Sequence, residues 1–258
     1  MKPVLFEGAS FVVPAYVALL SVGISVFLWL APRTAGRRGM DPGKVAALLG
    51  LLFVMGLAGA RALFVLEHRF LLADPWTAAF SLAPGGLASH GAFLFTIPAG
   101  FLLARKLGLS PGAVADSSAI GICLMGALGR LGCFLAGCCY GRPTSLPWGV
   151  TYPETSEAAS RWGFGVAVHP TQIYEVLYLV AIAFLLHRSR RRFDGEAFLK
   201  LVLFYSSARL FGDFLRGDSL DSIGGYGPAA WISLALVALS ACALWLSSST
   251  LTRRPVRA

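Results

Sequence analysis

The sequence predicts an all-α integral membrane protein with seven transmembrane helices, an external N-terminus, a cytoplasmic C-terminus and a small external head segment. The first observation is composition: of 258 residues, 56% are hydrophobic and only 14% are charged, and the mean hydropathy is +0.69. A soluble domain carries about a quarter charged residues. The second observation is a series of long apolar stretches, and the third is the uneven placement of basic residues between them.

Seven stretches are long enough to cross a bilayer as helices, which takes about 20 apolar residues. They are Ser10–Ala31, Val45–Leu66, Gly85–Ala104, Ala113–Leu135, Thr171–His187, Ala197–Leu215 and Ala229–Leu246. The apolar run of the first exceeds that of a cleaved signal peptide, so we expect it to be retained. The chain is therefore predicted to be a single transmembrane domain, 1–258, with an external segment at 136–170.

Basic residues predict the orientation of these helices. Thirteen Lys and Arg residues fall in the loops on one side and at the C-terminus, against five in the alternate segments. The positive-inside rule places the richer side in the cytoplasm. These clusters supply most of the basic residues behind the net charge of +9. Basic loops of this kind are attracted to anionic lipid, so we expect no nucleic-acid partner.

Ionisable side chains within the predicted spans are candidate functional residues, because they are costly in a bilayer. They are Arg61, His90, Arg130 and Arg209, with Tyr16 and Tyr205 as polar aromatics. Apart from Tyr205, each lies about 8–9 Å from the outer end of its helix at 1.5 Å per residue. In one interpretation, each side chain reaches separately to the membrane interface or to a buried carbonyl group. In the other, the side chains together form a cationic pocket at the outer leaflet that binds phosphate.

The sixth predicted helix places Tyr205, Arg209 and Asp213 on one face at intervals of four residues. One interpretation is an ion pair within the helix. In the other, Asp213 orients Arg209 towards a ligand while Tyr205 supplies a hydroxyl. His169 precedes Pro170 at the start of the fifth helix, where it either caps the interface or contacts a ligand.

The stretch Gly126–Arg142 combines five glycines with Arg130 and three cysteines. The glycines indicate either close helix packing or a broken helix that lines a cavity. The spacing of Cys133, Cys138 and Cys139 is not that of a zinc motif. We expect no metal and no cofactor; the thiols pack as small apolar groups, and an external disulfide is an alternative.

Four motifs in this order resemble the prolipoprotein diacylglyceryl transferase family, over essentially the whole chain. They are GGLASHGA at 85–92, GRLGCFLAGCCYGRPT at 129–144, HPTQIYE at 169–175 and YSSARLFGDFLR at 205–216. The resemblance matches the family's motif residues to His90, Arg130, Gly141, Tyr205 and Arg209, and its first-helix tyrosine to Tyr16. Cys133 stands where the family usually has Asn, and Asp213 where it has Glu.

The resemblance implies transfer of an sn-1,2-diacylglyceryl group from phosphatidylglycerol to the lipobox cysteine in a prolipoprotein signal peptide, with release of glycerol-1-phosphate. It also implies a bacterial inner membrane location, with the active site facing the outer leaflet. Because the nucleophile belongs to the substrate, the enzyme must favour its thiolate and stabilise the departing phosphate. The expected catalytic residues are His90 for the proton and Arg130 and Arg209 for the phosphate. The expected substrate-binding residues are Tyr16, Arg61, Cys133, Gly141, His169 and Tyr205.

Other functions for a seven-helix protein fit the sequence less well. A retinal protein is disfavoured because the seventh span has no Lys for a Schiff base. An intramembrane hydrolase is disfavoured because neither a serine elbow nor paired membrane aspartates are evident. The main alternative is a non-catalytic or altered-specificity paralogue that binds phospholipid.

Overall fold

The computed structural model describes residues 4–7, 12–70, 74, 77, 80, 89–217 and 228–252. Within these residues there are eight helices and one antiparallel pair of strands. The elements are β1 (Val4–Glu7), β2 (Val12–Pro14), α1 (Ala15–Gly36), α2 (Pro42–His68), α3 (Ser89–Lys106), α4 (Pro111–Ala136), α5 (Glu157–Trp162), α6 (Thr171–Arg188), α7 (Glu196–Asp213) and α8 (Pro228–Thr252).

Each predicted apolar stretch coincides with one long helix, although residues 85–88 of the third lie outside the described residues. Four helices are long and apolar enough to cross a membrane: α1, α2, α4 and the Ala229–Ser249 part of α8. The other three long helices have 18 residues each, about 27 Å at 1.5 Å per residue, and carry charge at their ends. The molecule is a helical membrane protein, and the count of seven spans stays a prediction.

The N-terminal strand pair differs from the sequence prediction, which begins the first helix at Ser10. Val12, Val13 and Pro14 form β2, and the helix begins only at Ala15. Two β-branched residues favour an extended backbone, and Pro14 has no N–H for pairing within a helix. At its other end α1 continues through Pro32 to Gly36, beyond the predicted end at Ala31.

Large apolar side chains lie on the outer faces of the helices. On α8, for example, Trp231, Leu239 and Trp245 are 50%, 67% and 69% exposed. Contiguous exposed apolar surface of this kind is unfavourable in water and favourable in lipid. The arrangement is that of a protein solvated by a membrane.

Contacts divide the chain into two compact units, residues 1–30 with 115–258, and residues 31–114. In the second unit α2 begins at Pro42, where the Asp41 carboxylate accepts hydrogen bonds from the backbone N–H groups of Gly43 and Lys44 at 2.8 and 3.3 Å. Such capping satisfies donors that a helix start leaves free. The single-domain assignment of 1–258 stays a prediction.

Helices α2 and α3 of the second unit pack through glycines. A Cβ atom on Gly59 would lie 2.7 Å from the Gly91 carbonyl oxygen and 2.7 Å from Cγ of Phe95. Glycine allows the two backbones to approach to a distance that any side chain would prevent.

Gly59→Ala should therefore destabilise the protein by about 1–3 kcal/mol, the usual effect of overpacking. A Cβ atom on Gly50, on the same helix, would meet nothing within 4 Å, so Gly50→Ala should leave stability unchanged or raise it. Thermal unfolding of the two detergent-purified variants measures this difference. Equal midpoints would contradict the packing role of Gly59.

The core of the first unit lies between α4, α6 and α7. Small residues on α4 contact larger apolar residues on the other two helices, and the buried set is Ala119, Cys123, Ala127, Leu179, Ile182, Ala183, Leu186, Ala197 and Leu201. The buried Asp116 carboxylate accepts a hydrogen bond of 3.0 Å from the Phe198 N–H. This contact ties the start of α7 to α4.

The predicted external segment 136–170 folds as a small head around α5. The Ser156 side chain caps α5 by accepting a hydrogen bond from the Ala159 N–H at 3.1 Å. Isolated β-bridges join Pro143 to Val168 and Val150 to Val168. A buried set holds the head together: Tyr140, Tyr152, Ala158 and Val168.

Candidate functional site

The buried carboxylate of Glu175 is the centre of a cluster of arginines. Glu175 lies one turn into α6, and its side chain is 5% exposed. Its Oε1 accepts hydrogen bonds of 3.1 Å from Nη1 of Arg209 and of Arg216. Nε of Arg130, on α4, lies 2.7 Å from Oε2. One arginine from α4 and two from the end of α7 and the residues after it are therefore fixed on one carboxylate.

A second carboxylate completes this cluster. Nη2 of Arg209 lies 3.1 Å from Oδ1 of Asp213 on the same helix. The intrahelical pair proposed from sequence is confirmed, but it is only part of the arrangement, because Arg209 also binds Glu175. Among the described residues, three guanidinium groups face two carboxylates in this cluster, and a partly buried site rich in arginine attracts anions.

The three arginines differ in how they bind the carboxylates. Both terminal nitrogens of Arg209 contact a carboxylate, whereas Arg130 makes its ion pair through Nε. The Arg130 side chain is 22% exposed. Arg130 thus presents the planar pair of donors that binds phosphate or carboxylate oxygens bidentately.

Three buried oxygens beside the arginines have no hydrogen-bond partner among the described residues. They are Oε2 of Glu175, Oδ1 of Asp213 and the hydroxyl of Tyr178. The contact of Oε2 with Arg130 thus has the distance of an ion pair without hydrogen-bond geometry. The Tyr178 ring packs edge-on against Tyr205, with centroids 6.0 Å apart, and Tyr205 interacts electrostatically with Arg130. The cluster therefore contains hydrogen-bond acceptors and a hydroxyl donor that are not used within the described residues.

The head joins this cluster through Gly141 and Arg216. The Gly141 N–H donates to the His169 carbonyl at 3.0 Å, and the Arg142 N–H donates to the Leu215 carbonyl at 2.8 Å. A Cβ on Gly141 would lie 2.6 Å from the His169 carbonyl oxygen. The close approach of three backbone segments accounts for this glycine, and contact with substrate stays a prediction.

His169 lies at the base of the head, beside the start of α6. Its Nδ1 is 3.2 Å from the hydroxyl of Tyr174, and that hydroxyl also accepts a hydrogen bond of 2.8 Å from Nε1 of Trp148. These contacts fix the imidazole within the head. A contact between His169 and substrate stays a prediction.

The structure brings the three cysteines of the Gly126–Arg142 stretch together. The Sγ atoms of Cys133, Cys138 and Cys139 all lie within 4.8 Å of one another. Spacing alone does not predict this convergence, because it depends on the turn that follows α4. Arg130 interacts electrostatically with Cys133 and Cys139, so the thiols lie beside the arginine cluster.

The remaining predicted site residues lie on α1, α2 and α3. Tyr16, on α1, is 39% exposed, and its Cα would lie 2.8 Å from a Cβ on Gly132. Arg61 belongs to the second unit, where its guanidinium lies 5.8 Å from the ring centroid of Phe64. His90 is in the first turn of α3, and its side chain lies outside the described residues.

Comparison with known proteins identifies the family. The family model for prolipoprotein diacylglyceryl transferase matches residues 3–246. The chain belongs to this family. The resemblance inferred from four motifs is therefore confirmed over nearly the whole chain.

Three relatives of this chain bear one functional name. The phosphatidylglycerol–prolipoprotein diacylglyceryl transferase of Gloeobacter violaceus is 33% identical over 248 residues, covering 94% of this chain and 91% of the relative. The protein of that name from Clostridium tetani is 29% identical, covering 91% and 93%. Transferase 1 of Streptomyces coelicolor is 31% identical, covering 94% and 70%.

The site residues predicted from the sequence of this diacylglyceryl transferase family member do not include two members of the cluster, Glu175 and Arg216. The sequence indicates Glu175 only as part of the HPTQIYE motif, and Arg216 only as the end of the fourth motif. The signal for Glu175 is its place within the predicted span Thr171–His187, where a carboxylate requires a cationic partner. The signal for Arg216 is its place three residues after Asp213, where it continues the face of Tyr205, Arg209 and Asp213, although α7 itself ends at Asp213.

Proposed function

We propose that this protein transfers a diacylglyceryl group from phosphatidylglycerol to the lipobox cysteine of prolipoproteins. Membership of the family supports the reaction, and the relatives named above carry it in their names. The observation that carries the proposal is the Arg130 guanidinium, which is 22% exposed and lies with its Nε 2.7 Å from Oε2 of the buried Glu175. This geometry suits the phosphate of an anionic lipid.

The proposed reaction joins the cysteine sulfur to the glyceryl carbon that bears the phosphate. The carbon–oxygen bond breaks, and glycerol-1-phosphate leaves with the electron pair. Arg130 binds the phosphate oxygens, and its guanidinium stabilises the negative charge that develops there. Arg209 adds charge and holds Glu175, and His90 accepts the thiol proton. Further contacts to lipid and peptide come from Tyr16, Arg61, Cys133, Gly141, His169 and Tyr205.

The proposed location is the bacterial inner membrane, with seven spans, an external N-terminus and the site at the outer leaflet. Arg130 and Arg209 lie near the C-terminal ends of α4 and α7, and Glu175 lies near the N-terminal end of α6. These helix ends are the ones that adjoin the head. The cluster is thus about 6–9 Å from the head-side ends of its helices, as an external site requires.

A pair of reporter fusions tests this topology. A reporter fused after Arg254 should be active only in the cytoplasm, and one inserted near Glu157 only outside. The basic loops between the helices provide the physical reason. An external reporter at the C-terminus would place the cluster at the inner leaflet and contradict the proposed orientation.

Incubation of the purified protein with labelled phosphatidylglycerol and a lipobox peptide tests the reaction itself. We expect a labelled thioether on the cysteine peptide and none on a matched peptide in which serine replaces cysteine. Binding of the lipid without product would instead identify the non-catalytic paralogue. A product with another phospholipid but not with phosphatidylglycerol would show altered specificity.

A further inference from the structure

Three thiols converge where α4 ends and the head begins. Cys133 lies in the last turn of α4 and is 7% exposed, and Cys138 and Cys139 follow in the turn. All three Sγ atoms lie within 4.8 Å of one another, and they are the only group of this size among the described His, Cys, Asp and Glu side chains. Convergence of three sulfurs needs a physical account, because small apolar packing does not require it.

The backbone of the turn is shaped to produce this convergence. The N–H groups of Gly137 and Cys138 both donate to the Cys133 carbonyl, at 2.9 and 3.2 Å. Gly137 has a φ of 80°, as glycine commonly does after a helix. Cys139 has a φ of 62° and is the only non-glycine residue with positive φ in the described part of the chain. This conformation costs about 1–2 kcal/mol for a residue with a side chain.

Side chains from α6 hold the turn in this conformation. Oγ1 of Thr171 donates to the Cys139 carbonyl at 2.7 Å, and Nε2 of Gln172 donates to the Cys138 carbonyl at 2.6 Å. Gln172 is fully buried and is held in turn by the Tyr152 hydroxyl. Strained positions that their surroundings fix in this way are concentrated at functional sites.

We propose that Cys133, Cys138 and Cys139 form a binding site for a thiophilic closed-shell cation, Zn²⁺ or Cu⁺. Thiolates select these ions over harder cations. Zn–S bonds of about 2.3 Å place the sulfurs of one site about 3.8 Å apart, a separation that small rotations of the three side chains provide. Cu⁺ is satisfied by three sulfurs, whereas Zn²⁺ takes a fourth ligand, such as water.

The charges around the thiols favour this site. Arg130 and Arg216 both interact electrostatically with Cys139. Three thiolates with a divalent cation carry one net negative charge, which the neighbouring guanidinium groups balance. The site lies at a position where the family usually has Asn in place of Cys133, so it is a property of this chain. Binding of the ion is independent of the transfer reaction and is measured without lipid or peptide.

The full-length protein, purified in detergent and reduced anaerobically, should be loaded separately with Zn²⁺ and with Cu⁺. Elemental analysis after desalting should show one ion per chain in at least one arm, and X-ray absorption should show three sulfur neighbours. The arm with the higher affinity identifies the ion. Cys133→Ser, Cys138→Ser and Cys139→Ser should each weaken binding at least ~10-fold, while Cys123→Ser and Cys242→Ser should bind normally.

A further variant separates loss of the site from misfolding. Cys139→Gly removes one thiol but relieves the positive φ, so it should lose the ion while keeping or raising the thermal midpoint measured without metal. Failure to bind either ion would overturn the proposal, as would equal binding by all the cysteine variants. The proposal would also be overturned if two of the three thiols formed a disulfide even in the presence of the ions, and only a reductant opened it.

Discussion

Arg130→Ala should lower the rate of diacylglyceryl transfer about 100- to 1,000-fold, the usual effect of removing a donor to a developing oxyanion. The protein should still fold, because Arg209 and Arg216 continue to neutralise Glu175. Arg130→Lys should recover little of the rate, since an ammonium group cannot present two parallel donors to phosphate. The measurement is kcat/KM with labelled phosphatidylglycerol and a lipobox peptide.

Arg190 provides the matched control for this variant. It is an exposed arginine between α6 and α7, beyond the end of α6 opposite to Glu175, and Arg190→Ala should keep normal activity. Near-normal turnover by Arg130→Ala would contradict the assignment of Arg130 to the phosphate. An equal loss in both variants would indicate a general effect of net charge on lipid binding.

Glu175→Gln should destabilise the protein by about 3–5 kcal/mol, because it leaves three partly buried guanidinium groups without their shared carboxylate. It should also lower the transfer rate at temperatures well below its midpoint of unfolding, since Arg130 loses the group that fixes Nε. Glu175 is a positioning residue in this account. Thermal unfolding and single-turnover rates on the same preparation measure the two effects separately.

Asp213→Asn is the matched control for Glu175→Gln. It removes the same charge from the same cluster, but Asp213 pairs with Arg209 alone among the described residues, and Arg209 keeps its contact with Glu175. We expect a smaller loss of stability and a rate close to normal. Equal effects in the two variants would show that total charge matters rather than the position of Glu175.

The positions of the helices could be predicted because they depend on local sequence. A run of apolar residues between charged loops is sufficient to identify a helix such as α2, and Asp41 with Pro42 marks its start. The errors arose where proline was involved. Pro14 delays the start of α1, while Pro32 lies inside that helix instead of ending it.

The composition of the site was only partly predictable, because it depends on contacts between distant segments. Arg130 and Arg209 stand out in the sequence by their matched depths, and both contact Glu175 in the structure. The depths could not show that they share Glu175, which lies 45 residues from one and 34 from the other along the chain. The cysteines are a similar case, since their convergence requires the positive φ of Cys139, and a sequence gives no reason to expect that conformation at a non-glycine residue.

Arg216 belongs to the head and to the charge cluster at once. Its backbone forms a β-bridge with Gly141, and its guanidinium binds Glu175. Local unfolding of the head therefore cannot occur without breaking an ion pair of the cluster, and the two behave as one cooperative unit. The amide hydrogen of Arg142, which donates to the Leu215 carbonyl, should consequently exchange with deuterium only as fast as the cluster opens. Amide exchange in the head should become slower when an anion occupies the cluster.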